Sequence, residues 1–154
     1  NKVYDEGATR KSLQEIIQPA ALDFYRRNLL SMRNTLAERN IPFIIVKQGT
    51  LLGPSNTERE ERKIGYHYTG FRRPILREAY RLGWKINDEI CRLPGVECIS
   101  ANESLPPNFE SFRDHVHLTD RGRERLVEVI FGNIERMKGI REVLDRAKAP
   151  RFIS

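Results

Sequence analysis

Cysteine is nearly missing from this chain. Cys91 and Cys98 stand alone in 154 residues, too few for a disulfide framework or a cysteine-rich zinc site. One bond between them is open on spacing alone, so no redox compartment follows. Long apolar runs are missing too. The longest, Ile41-Pro42-Phe43-Ile44-Ile45-Val46, falls far short of the ~20 residues that cross a bilayer and suits a buried strand. The amino terminus, Asn1-Lys2-Val3-Tyr4-Asp5-Glu6, lacks both an initiator Met and the basic-then-apolar form of a secretion signal, and reads as a cut end or an internal start. There is no low-complexity segment and no internal repeat. The sequence implies no particular compartment.

What remains is a polar chain of single-domain size, 39% hydrophobic and 31% charged, which excludes a disordered polymer. Its net charge is +6, but the bases recur in small groups such as Arg26-Arg27, Arg72-Arg73 and Arg121/Arg123/Arg125, often beside acids. Spacing of this kind is a solvated helix face. A nucleic-acid surface calls for concentrated charge and stacking aromatics, so nucleic acid is not an expected partner.

Ser12-Leu13-Gln14-Glu15 has the form of a capping box, and Pro19 then opens or interrupts a helix. Leu22, Tyr25, Leu29, Met32 and Leu36 repeat at helical spacing. Asn40 and Pro42 end that helix. Phe43–Val46 reads as a strand buried on both faces, the habit of parallel sheets. Residues 49–69 form a long polar connection with a charge run at 58–63, either a lid or a surface excursion. Ile75, Ala79, Leu82, Ile86 and Ile90 mark a second helix, with Pro74 near its start and Pro94-Gly95 at its end. Residues 96–100 form a second strand, and 101–112 a Pro- and Asn-rich loop. Leu126, Val127, Ile130, Phe131, Ile134 and Met137 define the last helix. Alternation of this kind predicts an α/β fold with a parallel sheet and helices on both faces. Two strands are few for such a sheet, so the elements look like the carboxyl-terminal part of a larger one.

Two of the three histidines fall in Asp114-His115-Val116-His117-Leu118-Thr119-Asp120-Arg121-Gly122. An imidazole acts as a general base when a carboxylate fixes its tautomer, and Asp114 and His117 meet if the loop curls. Thr119 caps the following helix, Asp120 suits its positive end, and Leu118 packs inward. The stretch follows the last strand and opens the last helix, where open α/β sheets carry their sites. His115 reads as a neighbour pointing away. His67 is either a loop residue or part of a cleft. Tyr80 and Trp84 read as helix-packing residues. No cofactor or metal is called for.

The block from Asp114 to Thr119, with Gly122, resembles the last motif of the SGNH, or GDSL-type, esterases and lipases. In outline the likeness covers nearly the whole chain; its specific part is this block. The resemblance implies a flavodoxin-like three-layer hydrolase fold, incomplete here, with residues 1–138 its carboxyl-terminal part and 139–154 a tail. It implies a serine hydrolase of carboxylic esters in which Asp114 orients His117 and His117 activates a serine. The family's Gly-Asp-Ser block is absent; Ser12, Ser31, Ser55, Ser100, Ser104, Ser111 and Ser154 all lack its context. Neither block of oxyanion donors is found. Asn1 stands where one donor would fall, although Lys2 replaces the expected Asp. The nucleophile and oxyanion donors are therefore expected on a separate or omitted amino-terminal segment. The polar 49–69 connection favours short acyl or carbohydrate acetyl esters over fats. The other reading is a non-catalytic binding module whose basic face engages an anionic partner.

Overall fold

Pro19 costs nothing at a helix start, because its missing N–H would be unpaired there and its φ is already helical. In the computed structural model, which describes residues 17–53, 56–65, 69, 71, 73–137, 140–142 and 145, helix α1 runs Pro19–Ala37. It closes in a Schellman turn. Asn40 takes the left-handed conformation at φ 53°, while the Asn40 and Ile41 amides bond back to the carbonyls of Ala37 and Leu36, each at 3.0 Å. An asparagine tolerates this conformation better than most residues. The capping box at 12–15, with Asn1 and His67, lies outside the described residues.

Strand β1, Phe43–Val46, pairs in parallel with β2, Val96–Ile99, Phe43 facing Val96 and Val46 facing Ile99. The crossover between them is α3, Arg73–Cys91. The protein is thus a mixed α/β structure, with a two-stranded parallel sheet and five helices among the described residues. Leu29 of α1, Ile45 of β1 and Ile86 and Ile90 of α3 share one apolar cluster, joined by Phe43, Val96 and Cys98. Alternate strand residues thus face these helices. The expectation that β1 is buried on both faces is corrected here. Only Ile45 is buried, and Val46 is 40% exposed. Among the described residues β1 has a partner strand on one side only.

A disulfide joins Cys91, the last residue of α3, to Cys98 on β2, with Cα atoms 6.0 Å apart. Gly95, at φ 78°, makes the turn that folds the chain back between them; a side chain is strained at that angle.

Both long connections carry more structure than their composition suggests. Within 49–69 a short helix α2, Glu58–Glu61, uses the charge run as a clasp: the Glu61 carboxylate meets Arg73 at 2.7 Å and also Arg77, at the start of α3. Within 101–112 lies α4, Ala101–Ser104. Helix α5 runs Asp120–Ile134; Met137 falls just beyond it and is buried. A second apolar cluster gathers Leu51, Leu52, Ile64, Leu76, Ala101, Leu105 and Phe112, with Tyr80, Leu118 and Leu126 packed on it. It draws on both connections, and the Asp114 loop rests on it. No helix among the described residues is long and apolar enough to cross a membrane.

Candidate active site

The loop is built by a reversal between two apolar anchors. Phe112 and Leu118 form an isolated antiparallel bridge, and both side chains enter the second cluster. The Arg113 amide donates to the His117 carbonyl at 2.7 Å, and the Thr119 amide to the Ser111 carbonyl at 3.0 Å. This pinches residues 113–117 into a tight turn.

Inside that turn the two oxygens of Asp114 do different jobs. Oδ1 accepts the backbone N–H groups of Val116 at 2.9 Å and His117 at 2.8 Å. Oδ2 meets Nδ1 of the His117 ring at 2.7 Å. An ionised carboxylate only accepts, so Nδ1 carries the hydrogen and Nε2 is the basic nitrogen. Burial pushes the Asp114 carboxyl up, but the His117 and Val116 amides and the imidazole outweigh it and hold the group down at about 2. The Asp114 side chain is 21% exposed and that of His117 68%. The acid is thus sheltered and the imidazole reaches outward.

The following helix start fixes the loop's far side. Thr119 accepts the Gly122 amide at 3.0 Å and donates its own hydroxyl to the Glu110 carbonyl, as a cap should. Asp120 lies in the first turn, where the helix dipole favours an acid. Gly122 has a steric reason: a Cβ there would run into the Ser111 carbonyl oxygen. The Thr-x-x-Gly spacing is therefore a packing requirement of this turn.

His115 does turn away from His117, into the protein. It is buried, its amide donates to the Gly65 carbonyl at 3.3 Å, and its Nδ1 faces the same oxygen at 3.2 Å. Its own carbonyl accepts the Leu51 amide at 3.0 Å and the Thr50 hydroxyl at 2.6 Å. Tyr80 packs as expected, its ring 6.5 Å from that of His115 and 5.8 Å from that of Trp84. Trp84 donates its indole N–H to the Gln48 carbonyl at 2.9 Å. Tyr80, Trp84 and Gln48 line a cavity of about 350 Å³ with Tyr25, Val46 and Asn87. Sequence reading missed Thr50 and Gly65; both are short residues in a polar connection, with no neighbouring pattern to single them out.

Four of the seven serines are described. Ser31 is exposed on α1. The Ser104 hydroxyl donates to the Ser100 carbonyl at 2.9 Å. Ser111 is buried, and its carbonyl holds Thr119. Ser12, Ser55 and Ser154 lie outside the described residues. Among the described residues no group of three or more His, Cys, Asp or Glu side chains could hold a metal ion.

Compared with known proteins, the chain matches no family model, no curated protein and no solved structure.

Proposed function

We propose that this chain carries the acid–base half of a serine hydrolase for carboxylic esters, of the SGNH type that its Asp114–Gly122 block resembles. The observation that carries the reading is the Asp114–His117 pair: one carboxylate oxygen locked by two backbone amides, the other 2.7 Å from Nδ1. In this mechanism a serine attacks the acyl carbon while Nε2 of His117 takes its proton. The proton passes to the leaving alcohol, and water then releases the acid by the same steps in reverse order. Asp114 stays ionised and steadies the imidazolium. Amide donors hold the oxyanion.

The serine and those donors are proposed to come from an amino-terminal segment that completes the three-layer fold. Three features support this. Parallel sheets of two strands are rarely self-sufficient, and β1 has a free edge among the described residues. Apolar side chains stand out on α1, with Phe24 59% and Met32 47% exposed, and on α5, with Val127 51% and Phe131 62% exposed. On the proposed reading these side chains pack against the amino-terminal segment. Short acyl or carbohydrate acetyl esters are the proposed substrates, because the connection between β1 and α3 is polar.

The alternative, a basic binding face, finds less support. Near the loop Arg121 pairs with Glu110 and Arg123 with Asp120; farther away Arg26 pairs with Asp23 and Glu89. Paired charges make a weak anion-binding surface.

A fluorophosphonate probe tests the reading on protein that includes the amino-terminal segment. Labelling that disappears in His117→Ala is the expected result. The absence of labelling in both forms would sink the reading.

A further inference from the structure

Asp114 is aligned by its own turn, and that turn must be anchored to something. The anchor is polar and lies in another part of the chain. Thr50 follows β1 by four residues, is buried, and donates its hydroxyl to the carbonyl of His115, the residue after Asp114, at 2.6 Å. The Thr50 hydroxyl oxygen, as acceptor, takes the Leu52 amide at 3.2 Å. The Leu51 amide adds a second bond to the His115 carbonyl at 3.0 Å. Tyr80 approaches from α3, and burial pushes its phenol up. On the other side, the Gly65 carbonyl takes the His115 amide and faces its ring. A Cβ on Gly65 would lie 3.6 Å from that of Asp114.

We infer that Thr50 is a positioning residue for the Asp114–His117 pair: its hydroxyl fixes the His115 carbonyl, and with it the turn that aims the carboxylate at the imidazole. The inference rests on the hydrolase reading for its purpose, but not for its geometry. Thr50 bonds to His115, which lies between Asp114 and His117 in the chain. It acts through the backbone between them. The hydroxyl matters because the site is buried: without it the His115 carbonyl keeps one of its two donors, and the Leu52 amide loses the oxygen it donates to. Valine matches the shape of threonine and removes only the hydroxyl.

The test uses nuclear magnetic resonance on the 154-residue chain and needs no turnover. In Thr50→Val, the amides of Val116 and His117 should exchange about tenfold faster, as expected for the loss of one buried hydrogen bond. The Asp114 titration should move up toward the ordinary carboxylate range. The Lys47 amide, bonded to Ile99 in the sheet, should not change, which separates local aiming from general loosening. Thr50→Ser, which keeps the hydroxyl, should behave as the native chain. An unchanged Val116, His117 and Asp114 in Thr50→Val would overturn the inference, as would a Thr50→Ser that behaves like the valine variant. Should the valine variant not fold, the native chain still decides. A Thr50 hydroxyl proton protected from exchange supports the bond, and a freely exchanging one overturns it. An inactive complete protein with all these signals normal would count against the hydrolase and leave the positioning role standing.

Discussion

Oδ2 of Asp114 lies 2.7 Å from Nδ1 of His117, while Oδ1 is held by the amides of Val116 and His117. The pair is therefore aligned by three bonds from within one five-residue turn. Asp114→Asn would present an amide in place of the accepting oxygen and favour the wrong tautomer. On the proposed mechanism, protein that includes an amino-terminal segment should lose kcat on the order of 10³–10⁴-fold. In the chain itself the hydrogen should shift from Nδ1 to Nε2, read from the ring ¹⁵N shifts of His117. An Asp114→Asn chain with the hydrogen still on Nδ1 would contradict this assignment.

Asp114 also makes the fold pH-dependent in a defined direction. Its folded value, about 2, lies below the ordinary 3.8. A depressed carboxylate favours the folded state above its unfolded pKa and loses that contribution as the pH falls through the folded one. The contribution is thus complete above about pH 4 and fades toward pH 2. Acid unfolding curves of native chain and Asp114→Ala should converge at the low end of that window and separate above it. Parallel curves throughout would show that the bonds to Asp114 contribute nothing.

Gly122→Ala places a methyl against the Ser111 carbonyl, so the cap and the loop must separate. Overpacking of this kind costs roughly 1–3 kcal/mol. Urea unfolding should show that loss, with Thr119→Ala costing about 1 kcal/mol as an ordinary cap deletion. A Gly132→Ala control, at a glycine on α5 with open space around it, should gain stability slightly through helix propensity.

Reduction of the Cys91–Cys98 bond frees a short loop with a sequence separation of 7. Loop-closure entropy puts the loss at about 2 kcal/mol. Melting with and without a reductant measures it, and Cys91→Ser with Cys98→Ser should reproduce the reduced value. Equal melting temperatures in both conditions would show that the bond is not formed in solution.

The elements that periodicity dominates were legible in the sequence. The Leu22–Leu36 and Ile75–Ile90 repeats mark α1 and α3 within a few residues, and Phe43–Val46 is the strand itself. The Asp114–His117 and Thr119–Gly122 bonds were likewise legible, because each joins residues three apart. Three features were not legible. The two short helices, Glu58–Glu61 and Ala101–Ser104, are each a single turn and leave no repeat to read. The exposure of Val46 depends on what lies beside β1, which no strand sequence records. The Thr50–His115 bond spans 65 residues, and a single threonine in a polar stretch gives no sign of its distant acceptor.

The proposed division of labour between this chain and an amino-terminal segment is tested most directly by p-nitrophenyl acetate hydrolysis, measured side by side. Residues 1–154 alone should show no turnover above that of free imidazole, and protein that includes the amino-terminal segment should turn over and lose activity in His117→Ala. Rapid hydrolysis by residues 1–154 alone, or none by the longer protein, would contradict the account.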